Sequence, residues 1–464
     1  MVNKLFGTDG VRGVANLYPI NAEFAFDLAE VLSKNACLQK KKVAIGKDTR
    51  ISGDMLESAL TAGFTSNGVS VISLGVVPTP LVTLMTPSLD IDMAIMITAS
   101  HNPYQDNGIK LIDQSGDKFP DEFYAHIEGL LDKIQKQKDN NSYNKDKDNN
   151  NKNKSPSPLG QVFIKKDVVE NYMENMRRIA PNYKALKGLR VVLDCANGVF
   201  FYILPQVFKD LGAGVITICN EPDGYNINKD CGSQCTEKLS KTVVDSHAHF
   251  GIAVDGDGDR VILVDDKGSV IDGDQLLCFL AQYLKKNNQL KNNIVVSTEW
   301  SNLGLNNYLK ANGYQYFKSK VGERYVVDLM HQKDAVLGGE LVGHIVLADY
   351  AHSGDALAAA IVISLAYLED GRKMSEIFPI FEPYPCVIET IRFSTKEYMM
   401  ESVEHDDVKE ALDKARIELG EDSNLIARKS GTEPVIKLRV EGNDEKVVAR
   451  LAKELKALIV KYKK

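Results

Sequence analysis

The amino-acid sequence predicts an α/β protein, with α/β units in series followed by a smaller α+β unit. Three observations carry this reading. Short apolar, β-branched runs alternate with longer stretches of helical periodicity through most of the 464 residues. The alternation restarts after about residue 187 and again near residue 261. After Gly371 it gives way to a proline-punctuated stretch and a different order of elements.

In the first unit, residues 43–45, 69–72 and 93–97 read as buried strands because they are short, continuous and apolar. Residues 21–35 and 53–67 read as the helices between them. The second unit repeats this with strands at 189–194, 215–218 and 250–254 and a helix at 236–246. A third round is expected to open with a strand at 261–264. It continues through a helix at 273–285, a strand at 294–298 and a helix at 303–311. Pro379, Pro383 and Pro385 mark a linker. Beyond it lie a strand at 386–393, a helix at 408–419, and a loop and a strand within 425–441. A closing helix at 443–463 has Val447, Val448, Leu451, Leu455, Leu458 and Ile459 on one apolar stripe. The expected units are 1–160, 161–255, 256–372 and 373–464, without a sequence period.

Residues 135–154 are nearly all Lys, Asn, Asp and Gln, and Ser155-Pro156-Ser157-Pro158 follows. Such a segment buries too little to offset its ordering entropy, so a mobile insertion is expected over 135–158. Its lysines alternate with aspartates, which argues against a nucleic-acid tail.

Composition narrows the function classes. The 56 basic and 63 acidic residues leave a formal net charge of −7, which gives no reason to expect nucleic acid or an anionic membrane as partner. No apolar run reaches the roughly 18 residues of a spanning helix. The N-terminus has no signal-peptide apolar region, so a cytoplasmic location is expected. Cys37, Cys195, Cys219, Cys231, Cys235, Cys278 and Cys386 form no CxxC pair and read as reduced thiols.

Four loops carry chemistry. Thr98-Ala99-Ser100-His101-Asn102-Pro103 follows a strand directly, where open α/β sheets place their sites. It reads either as a nucleophile loop containing Ser100 and His101 or as a plain turn. Asp255-Gly256-Asp257-Gly258-Asp259-Arg260 can fold three carboxylates around one hard cation. The EF-hand pattern fails there, because its sixth position is Arg260 and its twelfth Asp266. Magnesium beside a phosphoryl group fits better, with Arg260 available to phosphate oxygens. Gly338-Gly339-Glu340-Leu341-Val342-Gly343-His344 suits sugar hydroxyls, or is a tight turn. Arg428-Lys429-Ser430-Gly431-Thr432 has the parts of a phosphate cradle, or of surface ion pairs. With the loop Phe6-Gly7-Thr8-Asp9-Gly10-Val11-Arg12-Gly13, these segments could meet in a cleft between domains around a phosphorylated small molecule.

In order and spacing these motifs resemble those of the α-D-phosphohexomutase superfamily, over nearly the whole chain except the 135–158 insertion. The resemblance implies three related α/β/α domains plus a C-terminal TATA-binding-protein-like α+β domain. It implies a phosphoserine at Ser100, with Mg²⁺ held by Ser100, Asp255, Asp257 and Asp259. Arg12, His101 and Lys110 would stand beside the reacting phosphoryl group, with general acid and base left open between them. Arg260, Arg428, Ser430, Gly431 and Thr432 would bind phosphate, and Glu340, Gly343 and His344 the sugar. The expected activity is interconversion of glucosamine 6-phosphate and glucosamine 1-phosphate, upstream of UDP-N-acetylglucosamine and peptidoglycan precursors, with a sugar 1,6-bisphosphate as activator. The expected partner is a small hexosamine phosphate, with neither nucleic acid nor membrane, and a homodimer is the candidate assembly. A mannose- or glucose-phosphate mutase and an inactive sugar-phosphate-binding protein are the alternatives. This chain departs from the usual pattern at Val342, where the superfamily usually has serine, at Glu323, where it has aspartate, and at Gln234-Cys235, where it has Thr-His.

Overall fold

The computed structural model describes residues 5–7, 10–35, 38–141, 158–429 and 434–462. The first sheet contains β1 (Val11–Val14), β2 (Lys42–Lys47), β3 (Ser70–Val76), β4 (Met93–Ile97), β5 (Asp106–Asp113) and β6 (Val162–Ile164). The second contains β7 (Arg190–Asp194), β8 (Gly214–Ile218), β9 (Phe250–Val254), β10 (Val261–Val264) and β11 (Val270–Ile271). The third contains β12 (Ile294–Thr298), β13 (Gln315–Ser319), β14 (Leu337–Gly339) and β15 (Ile345–Leu347). The fourth contains β16 (Cys386–Arg392), β17 (Asn424–Lys429) and β18 (Val435–Glu441).

The first three sheets share one wiring. Their strand orders contain β3-β2-β4-β5, β8-β7-β9-β10 and β13-β12-β14-β15. In each, the first three strands are parallel and the fourth runs antiparallel to the third. Helices cover the parallel strands, so β4, β9 and β12 are buried throughout, and β4 and β9 read as continuous apolar runs. The repeat absent from the sequence is therefore present in the topology.

Two expectations are corrected by pairing. Residues 261–264 do not open the third unit: Val261 pairs with Val254 and Val264 with Gly251, so β10 closes the second sheet. Its apolar pattern matched a new strand, but its partner could not be read locally. Likewise, the loop and strand expected within 425–441 are two strands, because β17 and β16 both pair with β18 in an antiparallel sheet. The insertion expected from residue 135 is helical up to Asn141, as the end of Asp121–Asn141. Its remainder, to residue 157, lies outside the described residues, as do Cys37 and residues 430–433.

One large hydrophobic cluster runs through the first three units, from Leu81 and Met96 through Phe200 and Phe250 to Leu337 and Ile361. Separate clusters fill the other face of the first sheet and the C-terminal unit. The helix Ala356–Asp370 is buried over most of its length. Asp355 caps it, accepting from the N–H groups of Leu357 (2.9 Å) and Ala358 (3.0 Å). Among the described residues, no helix is long and apolar enough to cross a membrane.

Candidate active site

The shared wiring explains where the chemistry lies. The turn from the third to the antiparallel fourth strand carries Ser100 in the first unit, the three aspartates in the second, and Glu340 and His344 in the third. Equivalent corners of three sheets thus converge at the carboxyl ends of the parallel strands.

Ser100 has φ +52° and is 1% exposed. A serine in the left-handed region persists only where its surroundings over-determine it. Here its N–H donates to Thr98 Oγ1 (2.9 Å), and its carbonyl accepts from Arg50 (3.0 Å) and Asn228 Nδ2 (2.9 Å). Its hydroxyl donates to Asp255 Oδ2 (2.7 Å) and lies 3.2 Å from His101 Nδ1. Burial, with Arg260 and Arg12 nearby, holds the His101 imidazole down at about 2, so the ring is neutral.

Asp255, Asp257 and Asp259 are buried, and each offers a carboxylate oxygen within 4.8 Å of the other two. Burial first, then the neighbouring Asp259 and Asp257, pushes the Asp255 carboxyl well above its ordinary range. Gly256 permits this packing: a Cβ there would lie 2.7 Å from the Ser100 carbonyl oxygen. Lys110 donates to Asp257 Oδ2 (2.8 Å) and Asp259 Oδ2 (3.1 Å). Thr79 also donates to Asp257 Oδ2 (2.7 Å), whereas the buried Asp257 Oδ1 has no hydrogen-bond partner among the described residues. Three oxygen donors of this kind, one left unsatisfied, suit a hard divalent cation.

Above this layer opens a cavity of about 510 Å³. Arg12 and His101 from the first unit, Arg260 from the second, Glu340 and His344 from the third, and Arg428 from the fourth line it. Arg260 Nε donates to His344 Nε2 (2.7 Å), and Glu340 accepts from the Gly322 N–H (3.0 Å). Arg428 NH2 lies 3.5 Å from the Val321 carbonyl. Ser430, Gly431 and Thr432, expected beside Arg428, lie outside the described residues. Gly343 does not line the cavity. It has φ +92° and forms the turn that lets Gly343 accept from Val261 N–H (2.9 Å). Val342 lines the cavity and is 41% exposed. Glu323 pairs with Lys118 of the first unit and accepts from Gly354 N–H (2.6 Å).

Sequence reasoning missed the residues behind the site. Arg50 is buried and holds the serine loop from beneath, donating to the carbonyls of Pro103, Asp106 (3.0 Å), Ser100 and Asn102 (2.8 Å) and to Asp48 (2.9 Å). Asp48 in turn accepts from Thr98 Oγ1 (2.7 Å). The available signal was position: 48–50 directly follow β2, at the same sheet edge as Ser100.

Four family models match in chain order. Residues 3–138, 170–268 and 272–384 match the α/β/α domains I, II and III of phosphoglucomutase/phosphomannomutase, and residues 392–458 match its C-terminal domain. Relatives named phosphoglucosamine mutase are similar over the full length. One from Rhizobium etli is 42% identical, covering 98% of both chains, and one from Parvibaculum lavamentivorans is 42% identical, covering 99% of both. A solved phosphoglucomutase/phosphomannomutase family protein from Burkholderia thailandensis has a TM-score of 0.75 at 22% identity, covering 100% of this chain and 98% of that one. An Aspergillus fumigatus N-acetylphosphoglucosamine mutase, solved with GlcNAc-6P and magnesium, has a TM-score of 0.65 at 14% identity, covering 99% and 96%. The shared corners of the fold and the full-length likeness agree, and the chain belongs to the phosphoglucomutase/phosphomannomutase family, within the α-D-phosphohexomutase superfamily.

Proposed function

We propose that the chain interconverts glucosamine 6-phosphate and glucosamine 1-phosphate, with Ser100 as the phosphoryl carrier. The convergence of Ser100, the aspartate triad and Glu340 with His344 on equivalent turns around one cavity carries this reading. The name shared by the full-length relatives supports the amino sugar.

In this mechanism, phosphorylated Ser100 gives its phosphoryl group to the free hydroxyl of the bound monophosphate. The resulting bisphosphorylated sugar turns over in the cavity, and its other phosphate returns to Ser100. Arg428 anchors the phosphate that is not reacting, and Glu340 and His344 orient the sugar ring. Arg12 and Arg260 offset charge on the reacting phosphoryl oxygens. As the phosphoryl group leaves, Ser100 Oγ takes up a proton and the attacking sugar hydroxyl gives one up; the neutral His101 ring, with Nδ1 3.2 Å from Ser100 Oγ, stands beside this exchange. Lys110, paired with two carboxylates, serves as a fixed positive charge rather than as a base. Asp255, Asp257 and Asp259 would hold Mg²⁺, which supplies Lewis-acid stabilisation of the transferred group. A sugar 1,6-bisphosphate would prime Ser100.

The test is a coupled assay with Mg²⁺ and trace sugar 1,6-bisphosphate, comparing kcat/KM for glucosamine, mannose and glucose phosphates. Preference for glucosamine phosphate supports the proposal. Preference for mannose or glucose phosphate transfers the mechanism to a sister specificity, left open because Val342 on the cavity wall offers the sugar no hydroxyl. Absence of any phosphoryl transfer with Mg²⁺ present would leave a sugar-phosphate-binding protein.

A further inference from the structure

Away from the cavity lies a cluster of reactive side chains that phosphoryl transfer does not use. Cys219 follows β8 with φ +51°, and its Sγ accepts from Lys238 Nζ at 3.3 Å. Cys231 lies across the same loop and is 1% exposed. The two Sγ atoms and an Asp194 carboxylate oxygen lie within 4.8 Å of one another. Asn197 ties the pair together: its N–H donates to the Cys219 carbonyl (2.6 Å), and its Nδ2 lies 4.0 Å from Cys231 Sγ.

The two cysteines differ in access and in ionisation. Cys219 is half-buried and Cys231 buried. The contact with Cys231, aided by Lys238, brings the Cys219 thiol down to about 7 against its burial. The same contact, with burial, pushes the Cys231 thiol up. This is the arrangement of an attacking thiolate beside a protonated resolving thiol. Asp194, Cys219 and Cys231 are also metal-ligand types, but the Lys238 ammonium already supplies the positive charge at Cys219.

We propose that Cys219 and Cys231 are a peroxide-responsive dithiol, with Cys219 oxidised first and Cys231 resolving it. The Cys219 thiolate attacks hydrogen peroxide. An S–O bond forms, the O–O bond breaks, and the departing hydroxide takes a proton to become water. Cys231 then attacks the sulfenic sulfur, forming the S–S bond and breaking S–O. The second hydroxide leaves as water with the Cys231 proton. Two thiols lose two electrons and one peroxide becomes two waters.

The position gives the oxidation a consequence, which rests on the function proposed above. The loop between the two cysteines carries Asn228, whose Nδ2 donates to the carbonyls of Ser100 (2.9 Å) and Asn102 (3.0 Å). Closing the pair to an S–S bond of about 2.05 Å draws on the segment that positions the serine loop, so turnover falls several-fold.

The experiment exposes the full chain to a small excess of hydrogen peroxide, blocks remaining thiols with N-ethylmaleimide, and maps peptides by mass spectrometry. A Cys219–Cys231 disulfide is expected in the wild type and in Cys235→Ser. Cys235 is the internal control, because its contact with Glu237 pushes its thiol up to about 11. In Cys231→Ser, dimedone should trap a sulfenic acid at Cys219, and in Cys219→Ser the Cys231 thiol should remain alkylatable. Unoxidised Cys219 and Cys231 in the treated wild type, a disulfide through Cys235, or stoichiometric Zn²⁺ protecting the pair would overturn the proposal. The mapping needs no activity. A disulfide in a chain without mutase turnover would count against the proposed function alone, and a disulfide that leaves mutase turnover unchanged would overturn the link to Ser100.

Discussion

Lys110 Nζ donates a 2.8 Å hydrogen bond to Asp257 Oδ2, joining β5 of the first sheet to the turn between β9 and β10 of the second. Both side chains are at most 2% exposed. The ammonium and a divalent cation therefore act on the same cluster of carboxylates. Without the cation, Lys110 and Arg260 are the cationic side chains facing these carboxylates. Lys110→Met should lower stability in EDTA by roughly 3–5 kcal/mol, the cost of leaving a buried charge uncompensated. Millimolar Mg²⁺ should recover much of that loss. Thermal denaturation of both proteins with and without Mg²⁺ measures this, and an equal loss in the two conditions would contradict it.

Arg50 holds the serine loop by a planar fork directed at several carbonyls and at Asp48. Lysine keeps the charge but not the fork. Arg50→Lys should remain folded and lose about 10²-fold in kcat, the scale of a small misplacement of a reacting group. KM should change little, because Arg50 does not line the cavity. Steady-state kinetics separate the two constants, and a loss confined to KM would contradict this role.

Asp355 is fully buried, and burial pushes its carboxyl up to about 6, against hydrogen bonds from Ala358, Tyr172 and Leu357. A folded-state value above the unfolded one gives stability that is complete below about pH 4 and is lost as pH rises through about 6. The rise from the ordinary carboxyl value to about 6 amounts to roughly 3 kcal/mol. Asp355→Asn lacks this titration. Its unfolding free energy relative to wild type should therefore improve by up to that amount between pH 4 and 7. Urea denaturation across that range reads the difference, and a constant offset would contradict it.

Val342 presents a methyl surface to the cavity. Val342→Ser should lower KM for the sugar phosphate several-fold, in line with the roughly 1 kcal/mol of one added hydrogen bond. Unchanged KM would show that the sugar does not reach this position.

The sequence made the local parts of this structure legible. Runs such as 93–97 and 250–254 are apolar because both sheet faces are covered, and of the loops after them the aspartate triad declared its chemistry while the Ser100 loop also read as a plain turn. Partnership was not legible. Residues 261–264 look like any buried strand, and only pairing with β9 assigns them to the second sheet. Arg50 and Asn228 act through backbone carbonyls of residues 50 and 128 positions away. Such contacts leave no mark on spacing or periodicity. The helical turns at 135–141 were missed because composition there is polar, although they continue an established helix.

The central claim is that Ser100 carries the transferred phosphoryl group. The most direct measurement is a single-turnover rapid quench of enzyme ³²P-labelled at Ser100, mixed with glucosamine 6-phosphate and Mg²⁺. The label should leave the protein and appear in a sugar bisphosphate within the turnover time, and Ser100→Ala should neither label nor turn over. Label that stays on the protein while product forms, or a Ser100→Ala variant that retains turnover, would contradict the mechanism.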